Sequence, residues 1–156
     1  MNPATDSSLH RNNEPQTNNS AVFAHKITVD ESAIDGLQHV NNGCYVTWCE
    51  TAAWAHSAHL GLELADYLRL NRAMAVRHAE YDYVCASYLG DTLLISTWLS
   101  DFTSVQMKRS FQVTREHDGA TILQANWQLA CIELSTGKAK RLPKEFSTVY
   151  GVAADK

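Results

Sequence analysis

The strongest periodic signal in the chain lies between residues 43 and 61, where Tyr45, Trp48, Cys49, Ala52, His56, His59 and Leu60 recur at three- and four-residue steps. Thr47, Thr51, Trp54 and Ala58 fall on the opposite side, so the segment predicts an amphipathic helix with one covered face. Asn41 or Asn42 can accept a bond from a first-turn amide, and Gly61 supplies the stop. Ahead of this helix, residues 22–29 alternate well enough for a first strand, with His25 and Lys26 near its middle. A loop over residues 30–38 joins the two. Beyond it, residues 63–70 predict a short second helix whose Leu64, Tyr67 and Leu68 would close one end of a pocket.

The remaining pattern has a period of two. Residues 73–85 carry scattered β-formers, and a Gly90-Asp91 turn leads into a strand with Leu93, Ile95, Thr97 and Leu99 on one side. Residues 105–115 and 123–131 follow; in the second, Leu123, Ala125, Trp127, Leu129 and Cys131 alternate with Gln124, Asn126 and Gln128, as in a sheet buried on one face. Turns at His117-Asp118-Gly119 and Ser135-Thr136-Gly137-Lys138 separate these segments and introduce a last short strand. A strand, a long helix and then a run of strands describe an α+β domain rather than alternating βαβ units. That domain is expected at residues 22–150, with tails at 1–21 and 151–156. The first of these tails is rich in Asn, Ser, Thr, Gln and Pro and nearly free of large apolar side chains, a composition expected to stay mobile.

Composition narrows the possible functions. With 156 residues, 45% hydrophobic and 19% charged, the chain suits one domain with a single core. A net charge of −4 and the lack of a dense Lys/Arg block argue against nucleic acid as a partner. No apolar run reaches membrane-spanning length, and the N-terminus lacks the basic-then-apolar pattern of a secretory signal, so no membrane partner and a cytoplasmic location are expected. Cys44, Cys49, Cys85 and Cys131 show no CxxC spacing and read as small core residues in a reducing compartment. GxSxG elbows and Gly-rich phosphate loops are missing from the sequence. His56 and His59 share a helix face, but two ligands without a third do not make a zinc site, and no metal is expected.

The chemistry gathers at residues 34–50, IDGLQHVNNGCYVTWCE, where an acid stands just ahead of a helix start. Unbonded first-turn N–H groups and the positive end of the helix dipole favour a negative oxygen placed there. An acid and such a row of amides suit an enzyme that attacks a carbonyl and holds the resulting oxyanion. The run Asp35-Gly36-Leu37-Gln38-His39-Val40-Asn41-Asn42-Gly43-Cys44-Tyr45, with Glu50 following, resembles the signature of hot-dog-fold thioesterases of the 4-hydroxybenzoyl-CoA and acyl-CoA thioesterase type. Tyr81 and Tyr83, the Gly90-Asp91 turn and Thr136-Gly137 before Pro143 follow in a similar order. The resemblance implies a curved antiparallel β-sheet wrapped around one long central helix. It further implies a homodimer or homotetramer with sites between subunits, and hydrolysis of an acyl-CoA to a carboxylic acid and coenzyme A. No cofactor is implied, coenzyme A being part of the substrate.

Carried over residue by residue, the resemblance makes Asp35, His39 and Asn42 catalytic and Asn41, Tyr45 and Glu50 substrate-binding. Asp35 would take a proton from water or attack the thioester itself; the plainer alternative is that it shapes the turn beside Gly36. Asn42 would act through its backbone amide as the oxyanion donor, while the side chains of Asn41 and Asn42 read as caps. His39 either orients Asp35 or water, or makes a structural hydrogen bond. Plant acyl-carrier-protein thioesterases resemble this loop but place an Asn where this chain has Leu37. Glu50 reads as a supporting group, and Tyr45, Val46 and Trp48 as packing or acyl-pocket wall. Arg109 interrupts the apolar face of Val105, Met107, Phe111 and Val113. It reads as an intersubunit salt bridge or an edge position reaching water, or else as a contact for coenzyme A phosphates, and Arg77, Lys140 and Arg141 are read in the same way. Two other readings stay open: a noncatalytic acyl-CoA-binding hot-dog protein, and a hot-dog acyl-thioester hydratase or dehydratase, although the loop lacks the Asp-x-Asn-Pro pattern of that branch.

Overall fold

Five strands carry the fold: β1 (Phe23–Thr28), β2 (Arg72–Tyr83), β3 (Thr92–Ser100), β4 (Gln106–Arg115) and β5 (Thr121–Glu133). They pair antiparallel in the order β1-β3-β4-β5-β2 in one curved sheet. The structure is a computed structural model and describes residues 22–154; the expectations for residues 1–21 and 155–156 lie outside the described residues. The period-two pattern sets which face is covered. Leu93, Ile95, Thr97 and Leu99 of β3, Phe111 and Val113 of β4, and Leu123, Ala125, Trp127 and Cys131 of β5 are all buried. Their neighbours on the other face are more open, as expected where one side of a sheet takes the core.

Against that face lies α1 (Asn42–His59), capped by Asn41, whose side-chain oxygen accepts the Gly43 N–H at 2.8 Å. The helix ends before Gly61, whose φ of 99° belongs to the left-handed region that glycine enters without strain. Its buried residues are Tyr45, Cys49, Ala52, His56 and Ser57. Cys49 and Ala52 are small enough to let the helix settle close to the sheet. The predicted stripe is therefore right in phase but too wide: His59 is exposed and Trp48 only half-buried. The short α2 (Leu64–Leu70) follows at the expected place, but of the three residues expected to close a pocket only Tyr67 turns inward; Leu64 and Leu68 sit on its outer side and are exposed.

Two more features go beyond what the pattern predicts. After the 135–138 turn the chain forms only an isolated bridge, Ile132 with Ala139, and then a helix, α3 (Lys144–Ala154), in place of a last strand. This helix crosses the expected boundary at residue 150, and Gly151 and Ala153 are buried within it. Gly151 lets α3 pack closely, because an added Cβ would meet the Phe102 ring at 3.2 Å, tighter than an ordinary contact. The second lies in β2, for which the pattern carries no register: its pairing with β5 shifts between Val76 and His78. Such a bulge moves the inward-facing positions by one residue, so Tyr81 and Tyr83 come opposite Ala125 and Leu123.

Candidate active site

The loop ahead of α1 is a small closed hairpin. Ile34 bridges to Val40, the Asn41 N–H donates to the Ala33 carbonyl at 2.8 Å, and the Asp35 N–H donates to the His39 carbonyl at 2.8 Å. Asp35 thus stands near the tip of a loop whose base is the first turn of α1. Its Oδ1 accepts the Leu37 N–H at 2.8 Å and the His39 N–H at 3.3 Å. Gln38 completes the turn at a φ of 63°. The turn-shaping role weighed for Asp35 is real, but it uses one carboxylate oxygen. Among the described residues Oδ2 has no hydrogen-bond partner and remains available for chemistry.

His39 touches Asp35 through its main chain rather than its ring. The ring packs edge-on against Tyr88, with centroids 5.4 Å apart. At the helix start, Gly43 N–H serves the Asn41 cap and Cys44 N–H donates to the Asn41 carbonyl at 2.9 Å. Asn42 N–H has no acceptor among the described residues, which makes it the free donor of the first turn. The Asn42 side chain is exposed, and its carbonyl accepts from the Tyr83 hydroxyl at 3.4 Å, joining the end of β2 to the helix start. A polar cleft of about 280 Å³ opens beside this turn, lined in part by Asp30, Asn41, Gly43 and Thr47.

A second, more apolar cavity of about 260 Å³ lies between α1 and the sheet. Glu50, Ala53, Trp54 and Ser57 line it from α1, Met74 and Val76 from β2, Met107 and Arg109 from β4, and Trp127 and Leu129 from β5. Tyr67 and Tyr150 complete the wall from α2 and α3. Glu50, predicted to bind substrate, is exposed at this wall. Tyr45 is not part of it: at 2% exposure it is locked in the core, with its hydroxyl bound to Ser87 and its ring edge-on to Trp48 and Tyr83. Burial raises the Tyr45 phenol above its ordinary range, so it serves as a neutral strut. Asp35 and Asn42 line neither cavity within one chain.

Tyr67 stands at the cavity as expected for a residue closing a pocket, whereas Ser57 and Tyr150 carry no site signal in the sequence pattern. Ser57, Tyr67 and Tyr150 form a buried hydroxyl cluster in which Ser57 Oγ and Tyr150 Oη lie 2.8 Å apart, with Tyr67 Oη bonded to both. Trp54, expected on the outward side of α1, is indeed 49% exposed, while its ring still packs 5.1 Å from that of Tyr67 at the cavity rim. Arg109 corrects its expected role. It sits on the inner face of a central strand, 2% exposed, and donates from Nη1 to His56 Nδ1 at 2.9 Å and to Thr97 Oγ1 at 3.1 Å. No edge position or water contact explains it. Burial, with the Arg109 cation alongside, lowers His56 to about 4, so the imidazole is neutral and its Nδ1 accepts. With that nitrogen engaged, His56 is not free to join His59 as a ligand through Nδ1.

Known proteins share this arrangement of sheet and helix. The chain superimposes on a 1,4-dihydroxy-2-naphthoyl-CoA thioesterase from Synechocystis with a TM-score of 0.77 at 19% identity, covering 84% of this chain and 96% of that one. It matches the Staphylococcus aureus protein SAV2348, solved in complex with CoA, with a TM-score of 0.80 at 19% identity, over 86% of this chain and 84% of that one. At such identities the likeness is one of fold. In sequence, the chain is 31% identical over 116 residues to the long-chain acyl-CoA thioesterase FadM of Escherichia coli, covering 72% of this chain and 84% of that protein. Residues 29–149 match the family model described as the thioesterase-like superfamily, so the span from the end of β1 to α3, with the Asp35 loop inside it, belongs to that superfamily and carries its hot-dog fold.

Proposed function

We propose that Asp35 and the backbone amide of Asn42 carry the reaction of this chain, the hydrolysis of an acyl-CoA thioester to a carboxylic acid and free coenzyme A. The observation that carries this reading is the pairing of an acid having one unbonded oxygen with an unbonded first-turn N–H on a single closed loop. The thioester carbonyl oxygen lies at the Asn42 N–H, where the helix dipole favours the charge that develops in the tetrahedral state. Asp35 Oδ2 either takes a proton from the water that bonds to the acyl carbon or bonds to that carbon itself, forming an anhydride that water then opens. In both routes the carbon–sulfur bond breaks and the coenzyme A thiolate leaves, acquiring a proton. Neither route calls for a metal or a redox cofactor.

His39 N–H and Leu37 N–H hold Asp35 in place, so His39 is a positioning residue through its main chain. Asn41 sets the helix start that presents the donor. Two copies of the chain form the working unit, which the exposed β2 edge and the Tyr83 contact to the helix start support. A second copy packed there would wall Asp35 itself, which lines neither cleft of a single chain. A reducing, cytoplasmic compartment suits the four free cysteines. Among the described residues no helix is long and apolar enough to cross a membrane.

The test is thiol release from short, long and aromatic acyl-CoAs by the parent and by Asp35→Asn. The asparagine keeps an acceptor for the Leu37 and His39 amides but removes the base and nucleophile. Turnover is expected to fall by about 100-fold or more while the thermal transition moves little. Equal rates would remove Asp35 from the mechanism, and tight binding of acyl-CoA by the parent without thiol release would favour a noncatalytic acyl-CoA-binding protein.

A further inference from the structure

Arg109 is a buried cation without a carboxylate. Its cross-strand neighbours are Leu99 and Trp127, and both of its hydrogen-bond acceptors, His56 and Thr97, are neutral. Among the described residues neither Nε nor Nη2 has an acceptor, and the side chain forms part of the wall of the 260 Å³ cavity. Burial lowers the guanidinium only to about 10, so the charge persists at neutral pH. A buried cation without a counter-ion is costly, and an apolar residue of similar volume would be easier to accommodate here. The position instead holds a rigid two-pronged donor on the wall of a site whose apolar lining includes Ala53, Trp54, Met74, Met107 and Leu129, with Glu50 and the Ser57, Tyr67 and Tyr150 hydroxyls as its other polar groups. Glu50, the carboxylate on the cavity wall, makes no ion pair with Arg109 among the described residues.

An apolar cleft ending in an unpaired guanidinium and three hydroxyls defines a ligand chemistry. The geometry points to an acyl group whose far end bears a second carboxylate, a dicarboxylic acid carried as its mono-coenzyme A thioester, with Arg109 as the specificity-determining residue. This rests on the proposed thioesterase reading. The apolar stem of the chain follows the Glu50, Ala53 and Ser57 side of α1, and the terminal carboxylate receives the free Nε–H and Nη2–H of Arg109 in the bidentate form that arginine favours. Ser57, Tyr67 and Tyr150 line the same cavity as Arg109, so one of their hydroxyls can turn toward the same carboxylate. A methyl-ended acyl chain in the same place would leave the cation unpaired. Asn42 and His56 are separated by fourteen steps of α1, about 21 Å of helical rise. Preference for a carboxylate end should therefore depend on chain length.

The experiment compares kcat/KM for pairs of acyl-CoAs of equal length, one ending in methyl and one in carboxylate, from short to long chains. The parent is expected to prefer the carboxylate-ended member at one or more lengths by about 10-fold or more. In Arg109→Met the ratio of the two should fall by about 100-fold, as when one partner of a buried ion pair is removed. The ratio separates specificity from structure, because general damage to the fold lowers both rates together. The parent series decides the matter even if the variant does not fold. Equal or lower rates on carboxylate-ended chains at every length overturn this inference while leaving thioester hydrolysis intact. A parent that releases no thiol from any acyl-CoA overturns the proposed function, and this inference with it.

Discussion

At the residue scale, the contact between Arg109 and His56 ties chemistry to stability. The Nη1–H bond to Nδ1 requires the imidazole to be neutral, because protonation would place two cations 2.9 Å apart in the core. His56 titrates at about 4 in the folded chain against roughly 6.5 when unfolded. The unfolded state therefore binds more protons across that interval, and stability rises with pH there. Its contribution is complete above pH 6.5, is lost as pH falls toward 4, and changes no further below. Urea denaturation between pH 6.5 and 5 should show a loss of roughly 1 to 2 kcal/mol from this group. Asp118, held down to about 2 by Arg115, loses its contribution only below the ordinary carboxylate range, so it does not blur the window. In His56→Gln, which keeps an acceptor for Arg109 but cannot titrate, the slope between these pH values should flatten. An unchanged slope would place the titrating group elsewhere.

At the element scale, the helix that completes the cavity is the one the pattern did not reveal. Phe146, Val149, Tyr150 and Ala153 do repeat at helical spacing. They are interrupted by Thr148, Gly151 and Val152, which lower helix propensity, and they follow Pro143, which reads as a stop. Packing overrides these local preferences: Phe146 is fully buried with its ring 4.8 Å from that of Tyr67, and Gly151 admits Phe102. By contrast α1 and the covered face of β3 were legible because Leu93, Ile95, Thr97 and Leu99 carry the buried pattern locally. The Asp35 loop was legible as a motif, and its spacing already placed the acid seven residues before Asn42. Arg109 was not, because whether a strand lies at an edge or in the centre depends on long-range pairing that alternation does not encode. The weight of α3 can be measured. Phe146→Ala should cost about 3 to 5 kcal/mol in urea denaturation, whereas Val152→Lys, at an exposed position of the same helix, should stay within about 0.5 kcal/mol. Equal losses would mean that α3 is not anchored through its buried face.

At the scale of the whole molecule, the sheet has two unequal edges. β1 spans 6 residues, whereas β2 spans 12 and leads into an apolar stretch in which Val84, Tyr88 and Leu89 are exposed. A long open edge with apolar residues at its end is a template for pairing with another strand unless something covers it. β2 has no proline and no lysine, and its one bulge, between Val76 and His78, leaves the stretch from His78 to Tyr83 in regular register with an open outer side. Pairing of β2 with the β2 of a second copy would continue the sheet through a two-fold axis and bring the copies together beside Asn42, which Tyr83 already touches. The parent is therefore expected to show twice the mass of one chain in light scattering. His78 is exposed near the middle of β2 and lies on the outer face opposite the exposed Gln128, so His78→Lys should introduce a charge on each side of the axis without disturbing the core of one chain. That variant is expected to shift toward the single-chain mass and to lose thiol release in proportion, although Asp35 and Asn42 are untouched. A parent that is fully active at the mass of one chain would show that one copy suffices.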